Sequence, residues 1–496
     1  MTMTDVLALL GDQSTLARQP ALTIERAADP ATLREYRELR RRIFVGEQAL
    51  FERDDTDGTD DDPRAITLAA RLRDGTLAGG VRLAPADPAR PDIGWWRGSR
   101  LAVTPEYRRF SLTNGGDSIG PALIRAACGC AADAGALRFE ATVQSASERM
   151  FRRLGWRAVR PVTVAGAASG IGHVLMRWPI DRIAAHAASA KAALGPLLRG
   201  LYGPDGPAAA PGFAGDDGVP VPGSDLVAAC DAIIPSMVER DPEWAGWCSV
   251  LVNVNDLAAM GAAPVGLLDA LAARDASFAA RILSGLRRAS AAYGVPVLGG
   301  HTQLGVPAAL SVTALGRPGP AQGRPSPVPG GGGRPGHQIR VTADLGGGWR
   351  PGYTGRQWDS TTHRSPGQLR AMLGWVAAAR PAAAKDVSMA GLAGTLGMMA
   401  EASGCGAVLD VERIPRPAGA TAGDWLTCFP GFAMITADGS ATTGRGTAVP
   451  PPGPAASAVC GELTSGAGLR LRWPDGEETR AIDAAVTGLG RAMTDG

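Results

Sequence analysis

Lysine is almost missing from this chain: Lys191 and Lys385 are the only two among 50 basic residues, so nearly all positive charge is arginine. Any chemistry that needs an amine therefore has two candidates. Paired cysteines are missing too. Cys128, Cys130, Cys230, Cys248, Cys405, Cys428 and Cys460 are odd in number and scattered, no CxxC occurs, and Cys128-Gly129-Cys130 is too tight for a zinc knuckle. They read as reduced thiols of a cytoplasmic protein. No apolar run approaches the roughly 18 residues that mark a bilayer span, and the first residues lack a basic-then-apolar leader, so neither membrane insertion nor secretion is expected. A net charge of +2 gives no footing for a nucleic-acid partner. The phosphate-cradling GxxxxGK[ST] loop is absent as well. A bound nucleoside triphosphate would have to find its countercharge elsewhere.

What is present is enough chain for several cores. With 496 residues, 45% hydrophobic and 20% charged, two to four soluble domains of mixed α/β and α+β class are expected. Residues 1–182 read as one module. It comprises a helix from Pro30 to Phe51 with Leu33, Tyr36, Leu39 and Ile43 on one stripe, an acidic loop over 52–62, and strands Ile66–Arg71 and Leu77–Leu83 about an Asp74-Gly75 hairpin turn. A strand at Ser99–Val103, a helix at Gly120–Gly135, a strand at Leu137–Val143, a helix at Ala146–Leu154 and a strand at His173–Trp178 follow. This order, with LAVTPEYRR before a helix and MFRRLGW after a strand, resembles the GNAT acyl-CoA transferases.

The resemblance implies a GNAT fold with acyl-CoA, acetyl-CoA in the simplest case, as cofactor. Its pyrophosphate would lie against main-chain amides at Leu101, Ala102 and Val103 and at the helix start Ser118, Ile119 and Gly120, where unpaired N–H groups favour an anion. Glu47 is the candidate general base. The sequence departs from the family in two places: the RRxGxG run is stretched over Arg108–Asp117, and Phe151 stands where the family often has a proton-donating tyrosine. The FVGEQALFERDDTD block also resembles the start of the acyl-homoserine-lactone synthases, so the acyl group need not be acetyl.

Residues 183–212 read as a linker, helical over 181–200 with Ile183, Ala187, Ala190 and Leu194 in phase, then the Pro/Gly loop GPDGPAAAPG. Beyond it, Trp247, Val250, Leu251, Val254, Leu257 and Ala258 recur at helical spacing in Trp244–Pro264, with Ser249, Asn253 and Asp256 on another face and Gly261 as the stop. Two readings fit that pattern, a solvated polar face and a buried helix presenting a carboxylate. Asp231 lies among apolar neighbours in a strand over Val227–Ile234, where an unpaired charge is costly. Asp216 and Asp217 sit between glycines, a short strand over Val295–Leu298 ends at Gly299-Gly300-His301, and another strand spans Ala309–Leu315. Residues 319–336 are low-complexity Pro/Gly sequence and read as a flexible surface loop. Arg350, Arg356 and Arg364 are candidates to meet an anion. Asp386 precedes a helix over Met389–Ala402 with Ser388 as N-cap, and a last helix is expected at Ile482–Met493.

The order GDDG, Asp231, NVNDLAAMGA, GGHT and KDVSMAG resembles the ATP-binding superfamily of aminoimidazole ribonucleotide synthetase, thiamine monophosphate kinase and selenophosphate synthetase. It implies a two-part α+β module, residues 213–318 and 337–496, that binds ATP and Mg2+ and activates an oxygen of a small molecule. By that resemblance Asp216, Asp217, Asp231, Asp256 and Asp386 are the candidate metal ligands. Asn253, Gly299 and Gly300 would contact the nucleotide and His301 a phosphate. The superfamily further implies a homodimer through strands Val227–Ile234 and Ala309–Leu315. Selenide chemistry is disfavoured, because no cysteine lies between Cys130 and Cys230.

Overall fold

The computed structural model describes residues 22–108, 118–164, 171–202, 206–207, 210–321, 324–439 and 450–490. It divides into two compact units, residues 1–180 and 181–496. All seven cysteines are unpaired, and no described helix is long and apolar enough to cross a membrane.

The first unit is a seven-stranded sheet built from β1 (Leu22–Arg26), β2 (Ile66–Leu72), β3 (Leu77–Pro85), β4 (Trp95–Val103), β5 (Arg138–Gln144), β6 (Arg157–Val162) and β7 (His173–Trp178), in the order β1-β2-β3-β4-β5-β7-β6. Helix α1 (Pro30–Arg41) is capped by Asp29, whose carboxylate accepts from the Thr32 amide at 2.8 Å. It buries Tyr36 and Leu39 and gives way to a wider π-helical turn at Arg42–Glu47, so the helix expected to Phe51 ends earlier. Helices α2 (Ile119–Asp133) and α3 (Glu148–Arg153) complete the unit. Strand β4 pairs in parallel with β5 only over Trp95–Gly98 and Arg138–Ala141. Beyond that point the strands part around a cavity of about 620 Å³ lined by Ser99, Leu101, Thr142, Gln144, Phe151 and His173, among others.

In the second unit α4 (Arg182–Lys191) and α5 (Leu194–Tyr202) come first. Residues 183–202, expected to begin a linker, instead belong to this unit. Ile183 and Ala187 are buried, and Ala187 sits against Gly394, because the apolar stripe of α4 needs a partner. Strands β8 (Val219–Pro220) and β9 (Val227–Ala232), helices α6 (Pro235–Arg240) and α7 (Pro242–Ala259), β10 (Ala262–Ala273), α8 (Ala276–Tyr293), β11 (Val297–Leu304) and β12 (Ala309–Pro318) form a sheet in the order β11-β10-β12-β9-β8 with its helices. Helix α7 buries Ser249, Asn253 and Asp256 along with its apolar residues, which excludes the solvated-face reading. It crosses α8 so closely that a Cβ on Gly285 would lie 1.9 Å from the Glu243 carbonyl oxygen; only glycine permits that approach.

A seven-stranded sheet of this unit is built from β13 (Gln338–Asp344), β14 (Ala383–Asp386), β15 (Gly406–Asp410), β16 (Ala433–Asp438), β17 (Ala455–Thr464), β18 (Leu469–Arg472) and β19 (Glu478–Ile482), ordered β14-β16-β13-β17-β15-β18-β19 and covered by α9 (Gly391–Ala402), beside two small sheets of two- and three-residue strands. One apolar core joins both halves, running from Val227 through α7 to Met434. Three expectations fail here. The 319–336 segment is not a free loop: Val328 is buried and its amide donates to the Met260 carbonyl at 2.9 Å, since small residues let the backbone thread a packed gap. Ser388 does not cap α9, which starts from Ala390. No helix follows Ile482 within the described residues. There the Glu401 carboxylate accepts from the Val486, Thr487 and Gly490 amides and spends those donors outside a helix.

Candidate functional site: a buried carboxylate cluster

Three elements bring acidic side chains together inside the second unit. Asp256 projects from the buried helix α7, Asp386 ends strand β14, and Asp217 lies in the glycine-flanked turn before β8. One carboxylate oxygen from each lies within 4.8 Å of the others. Asp256 and Asp386 are 8% and 3% exposed, so these two carboxyls face one another out of contact with bulk water. Asp231, on β9, adds its charge to both of them.

Burial first, then the neighbouring carboxylates, Asp386, Asp231 and Asp217 for Asp256 and Asp217 and Asp231 for Asp386, push both carboxyls well above the usual carboxylate range. Asp217 is pushed up to about 6 by burial, with Asp216 adding to the rise and Lys385 opposing it. Burial also raises Asp231, although Lys191 pulls the other way; its side chain is exposed, but the exposure is to a cavity. Among the described residues the only ion-pair partner of the four is Lys385. One cation against four carboxylates leaves a deficit of positive charge.

Lys385 is 1% exposed and donates to Asp217 Oδ1 at 2.7 Å, Asp216 Oδ1 at 3.2 Å and the Gly215 carbonyl at 3.3 Å. Burial disfavours its charge, but Asp217 and Asp216 outweigh that and hold the ammonium protonated. The Asp386 amide donates to Asp217 Oδ2 at 3.1 Å, which fixes the Asp217 plane. Sequence reasoning noted Lys385 as one of two lysines but gave it no role; its position directly before Asp386 was the available signal.

The other predicted residues divide sharply. Asp216 accepts from the Gly330 and Asp217 amides at 2.7 and 2.9 Å as well as from Lys385, and it is not one of the three carboxylates that approach one another within 4.8 Å. Asn253 is fully buried and bonds the Ser249 carbonyl and the Asp231 amide, so it ties α7 to β9. Gly299, Gly300 and His301 do not end a strand. They lie within β11, an exposed edge strand on which His301 pairs with Ala270, and they do not line the cavity beside the carboxylates. In the first unit Glu47 is tied to Arg108 at 2.5 Å and is absent from the cavity lining. That hydrogen bond holds its carboxyl below the usual range and weakens it as a base. Leu101 lines the cavity while Ala102 is buried and Val103 partly so; Ser118, Ile119 and Gly120 begin α2, and residues 109–117 of the stretched loop lie outside the described residues.

Of the three arginines proposed to meet an anion, Arg350 pairs with Asp241 at 2.7 Å and Arg364 with Asp344 at 2.6 Å. Arg356 faces a cavity of about 780 Å³ that is also lined by Asp231, Asp256 and Asp386.

Family models agree with this architecture. The AIR synthase related protein N-terminal domain matches residues 215–317 and its C-terminal domain residues 341–469. An uncharacterized protein of Synechocystis is 36% identical over 229 residues, which covers 45% of this chain and 69% of that protein. Residues 215–469 belong to the AIR synthase-related family. An uncharacterized protein of Methanocaldococcus jannaschii is 32% identical over 202 residues, 39% of this chain and 59% of its own. The thiamine-monophosphate kinase of Synechococcus elongatus is 38% identical over 112 residues, 21% of this chain and 34% of the kinase. Among solved structures, the Aquifex aeolicus thiamine monophosphate kinase covers 57% of this chain and 96% of its own at 18% identity and a TM-score of 0.42. PurL of T. maritima complexed with FGAR covers 62% and 54% at 17% identity and a TM-score of 0.49.

Proposed function

We propose that the second unit binds ATP with Mg2+ and transfers the terminal phosphoryl group to an oxygen of a small molecule. The observation that carries this reading is the buried Asp217, Asp256 and Asp386 set with its deficit of positive charge. Hard carboxylate oxygens suit Mg2+, and the raised carboxyls describe a site that binds protons when no cation is present. Asp217, Asp256 and Asp386 would hold the ion, with Asp231 beside them; a bound Mg2+ supplies charge neutralisation for the phosphates. In the transfer the acceptor oxygen bonds to the terminal phosphorus, the bridging P–O bond breaks and ADP departs, while the acceptor proton passes to solvent or a carboxylate. The kinase name of the Synechococcus relative agrees with this reaction class.

Asp256→Asn is nearly isosteric and removes one charge from a crowd of like charges. The variant is expected to fold and to lose Mg-dependent ATP binding by at least about a hundredfold in calorimetric titration. Parental affinity would sink the carboxylate-clamp reading.

For the first unit we propose an acyl-CoA-dependent N-acyltransferase-like role, with CoA entering where β4 and β5 part. The stretch of β4 beyond Gly98, paired with β3 but not with β5, and the start of α2 would offer the amides that the GNAT resemblance requires. A second reading, a binding module without transfer, is favoured by Glu47 being bound to Arg108 and by Phe151 lining the cavity in place of a tyrosine. Acetyl-CoA turnover against a panel of amines separates them: binding without turnover leaves the second. We further propose a cytoplasmic homodimer formed through the five-stranded sheet. Leu268, Val297, Leu298 and Leu304 there are all exposed, an apolar group that a second copy would cover. Light scattering that gives 50.9 kDa at micromolar concentration would count against it.

A further inference from the structure

The cavity beside the carboxylates has a second chemical character. Helix α4 brings Arg182, His186 and Lys191 to it, α6 brings Arg240, and the loop after β13 brings Tyr353 and Arg356. Two of these five basic groups are occupied: Arg182 pairs with Asp424, and the His186 ring meets the Met389 carbonyl at 2.8 Å. Lys191, Arg240 and Arg356 form no ion pair among the described residues; Arg240 only stacks over the Tyr353 ring at 3.7 Å. Tyr353 is 7% exposed, and its hydroxyl is buried with no hydrogen-bond partner; the Ser388 hydroxyl, also on the cavity, is the same. Buried polar atoms without partners are rare, because each forfeits its hydration, so their presence on a cavity points to a ligand atom. Ile234 and Met389, both large and exposed, line the same space. At about 780 Å³ it is of the size that encloses a small organic molecule.

We infer that Lys191, Arg240 and Arg356 are an anion-receiving set and that the cavity takes a small organic anion, a phosphate ester or a carboxylate, with an apolar body. This rests on the phosphoryl-transfer reading, in which the cavity holds the acceptor. Helix α4 is then a specificity element: the segment that reads as a linker selects the substrate. The Tyr353 and Ser388 hydroxyls bond the ligand's polar atoms, while Ile234 and Met389 cover its body.

The test is calorimetry on the full-length protein with Mg2+, using phenyl phosphate, phenylacetate and the neutral 2-phenylethanol, each with and without a saturating non-hydrolysable ATP analogue. At least one anion is expected to bind at least tenfold tighter than the alcohol and to stay bound beside the analogue; which anion does so identifies the class. Lys191→Ala combined with Arg356→Ala should weaken that anion at least tenfold. Arg287→Ala, an exposed arginine on α8, should change it less than twofold. Tyr353→Phe, which keeps the ring under Arg240, should weaken the anion and leave the melting temperature unchanged. Equal binding of anion and alcohol, parental affinity in the double variant, or displacement by the analogue would each overturn the inference. Binding of the ATP analogue without any anion overturns it alone, whereas loss of both overturns the phosphoryl-transfer reading as well.

Discussion

Each unit buries a cluster of charge, and the two clusters are built on opposite principles. In the first unit Arg40, 1% exposed, pairs with Asp55 at 2.7 Å and Asp60 at 2.5 Å, while Arg82 and Arg100 pair with Asp57 at 2.8 and 2.9 Å. Burial works against the charge of Asp60 and Asp57, but the arginines outweigh it and hold both carboxyls below their usual range. That cluster is neutral and complete. In the second unit burial raises the carboxyls of Asp217, Asp256, Asp386 and Asp231, and among the described residues Lys385 is the one cation in an ion pair with any of them. Burial of charge is thus no guide to function by itself. The informative quantity is whether the protein supplies its own counter-ion.

Breaking the neutral cluster should have the largest effect on stability. Arg40→Met leaves Asp55 and Asp60 buried without their main partner, at a cost of about 3–5 kcal/mol. Hydrogen exchange should show the loss in peptides covering 30–103 and leave the second unit protected; unchanged exchange would mean that the cluster contributes nothing. Asp256→Asn is the counterpart. Removing one of several like charges should leave the metal-free second unit as stable as before or more so, despite the loss of nucleotide binding.

Lys385→Met comes next. It strips Asp216 and Asp217 of their one cation and should destabilise the metal-free second unit by about 3 kcal/mol. Millimolar Mg2+ should recover part of this in thermal melts, since a bound ion adds stability by mass action. A loss that Mg2+ cannot touch would place Lys385 in the scaffold alone.

The two clusters should also respond to pH with opposite sign. Asp57 and Asp60 titrate below their unfolded values, so their contribution is present above about pH 4 and is lost as pH falls through the folded values. Asp217 titrates at about 6 in the folded chain against 3.8 in the reference state, so its contribution is full below about pH 4 and is lost as pH rises through 6. Asp256 and Asp386 extend that loss to higher pH. Without metal the second unit should therefore melt at lower temperature at pH 7.5 than at pH 5, and the Mg2+-induced shift should grow over the same interval. Equal shifts at both pH values would contradict the raised carboxyls. The smallest effect is expected from Glu47→Gln. Its pair with Arg108 is about 40% exposed on both sides, and such pairs contribute less than about 1 kcal/mol. CoA affinity of the full chain should be unchanged.

Sequence patterns carried much of this molecule. The hairpin about Asp74-Gly75, the strand His173–Trp178, the helical run to Ala259 and the Gly261 stop all depend on neighbours in the chain, through turn chemistry and periodicity, and the structure has each of them. Asp217, Asp256 and Asp386 were also legible as candidates, through the resemblance of GDDG, NVNDLAAMGA and KDVSMAG to the ATP-binding superfamily, with the cost of a carboxylate amid apolar residues adding to the case for Asp256. What local pattern could not supply was the partner. Only the tertiary structure brings Lys385 to Asp216 and Asp217, 169 and 168 residues away in the chain, and places Asp217 but not Asp216 in the close group with Asp256 and Asp386. It likewise folds α4 back onto the second unit, threads 326–333 through a packed gap, and places Gly299-Gly300-His301 on an open edge. The physical reason is common to all of these. Secondary structure and burial cost are properties of a short stretch, whereas charge compensation, cavity lining and close packing depend on which distant residues arrive at the same place.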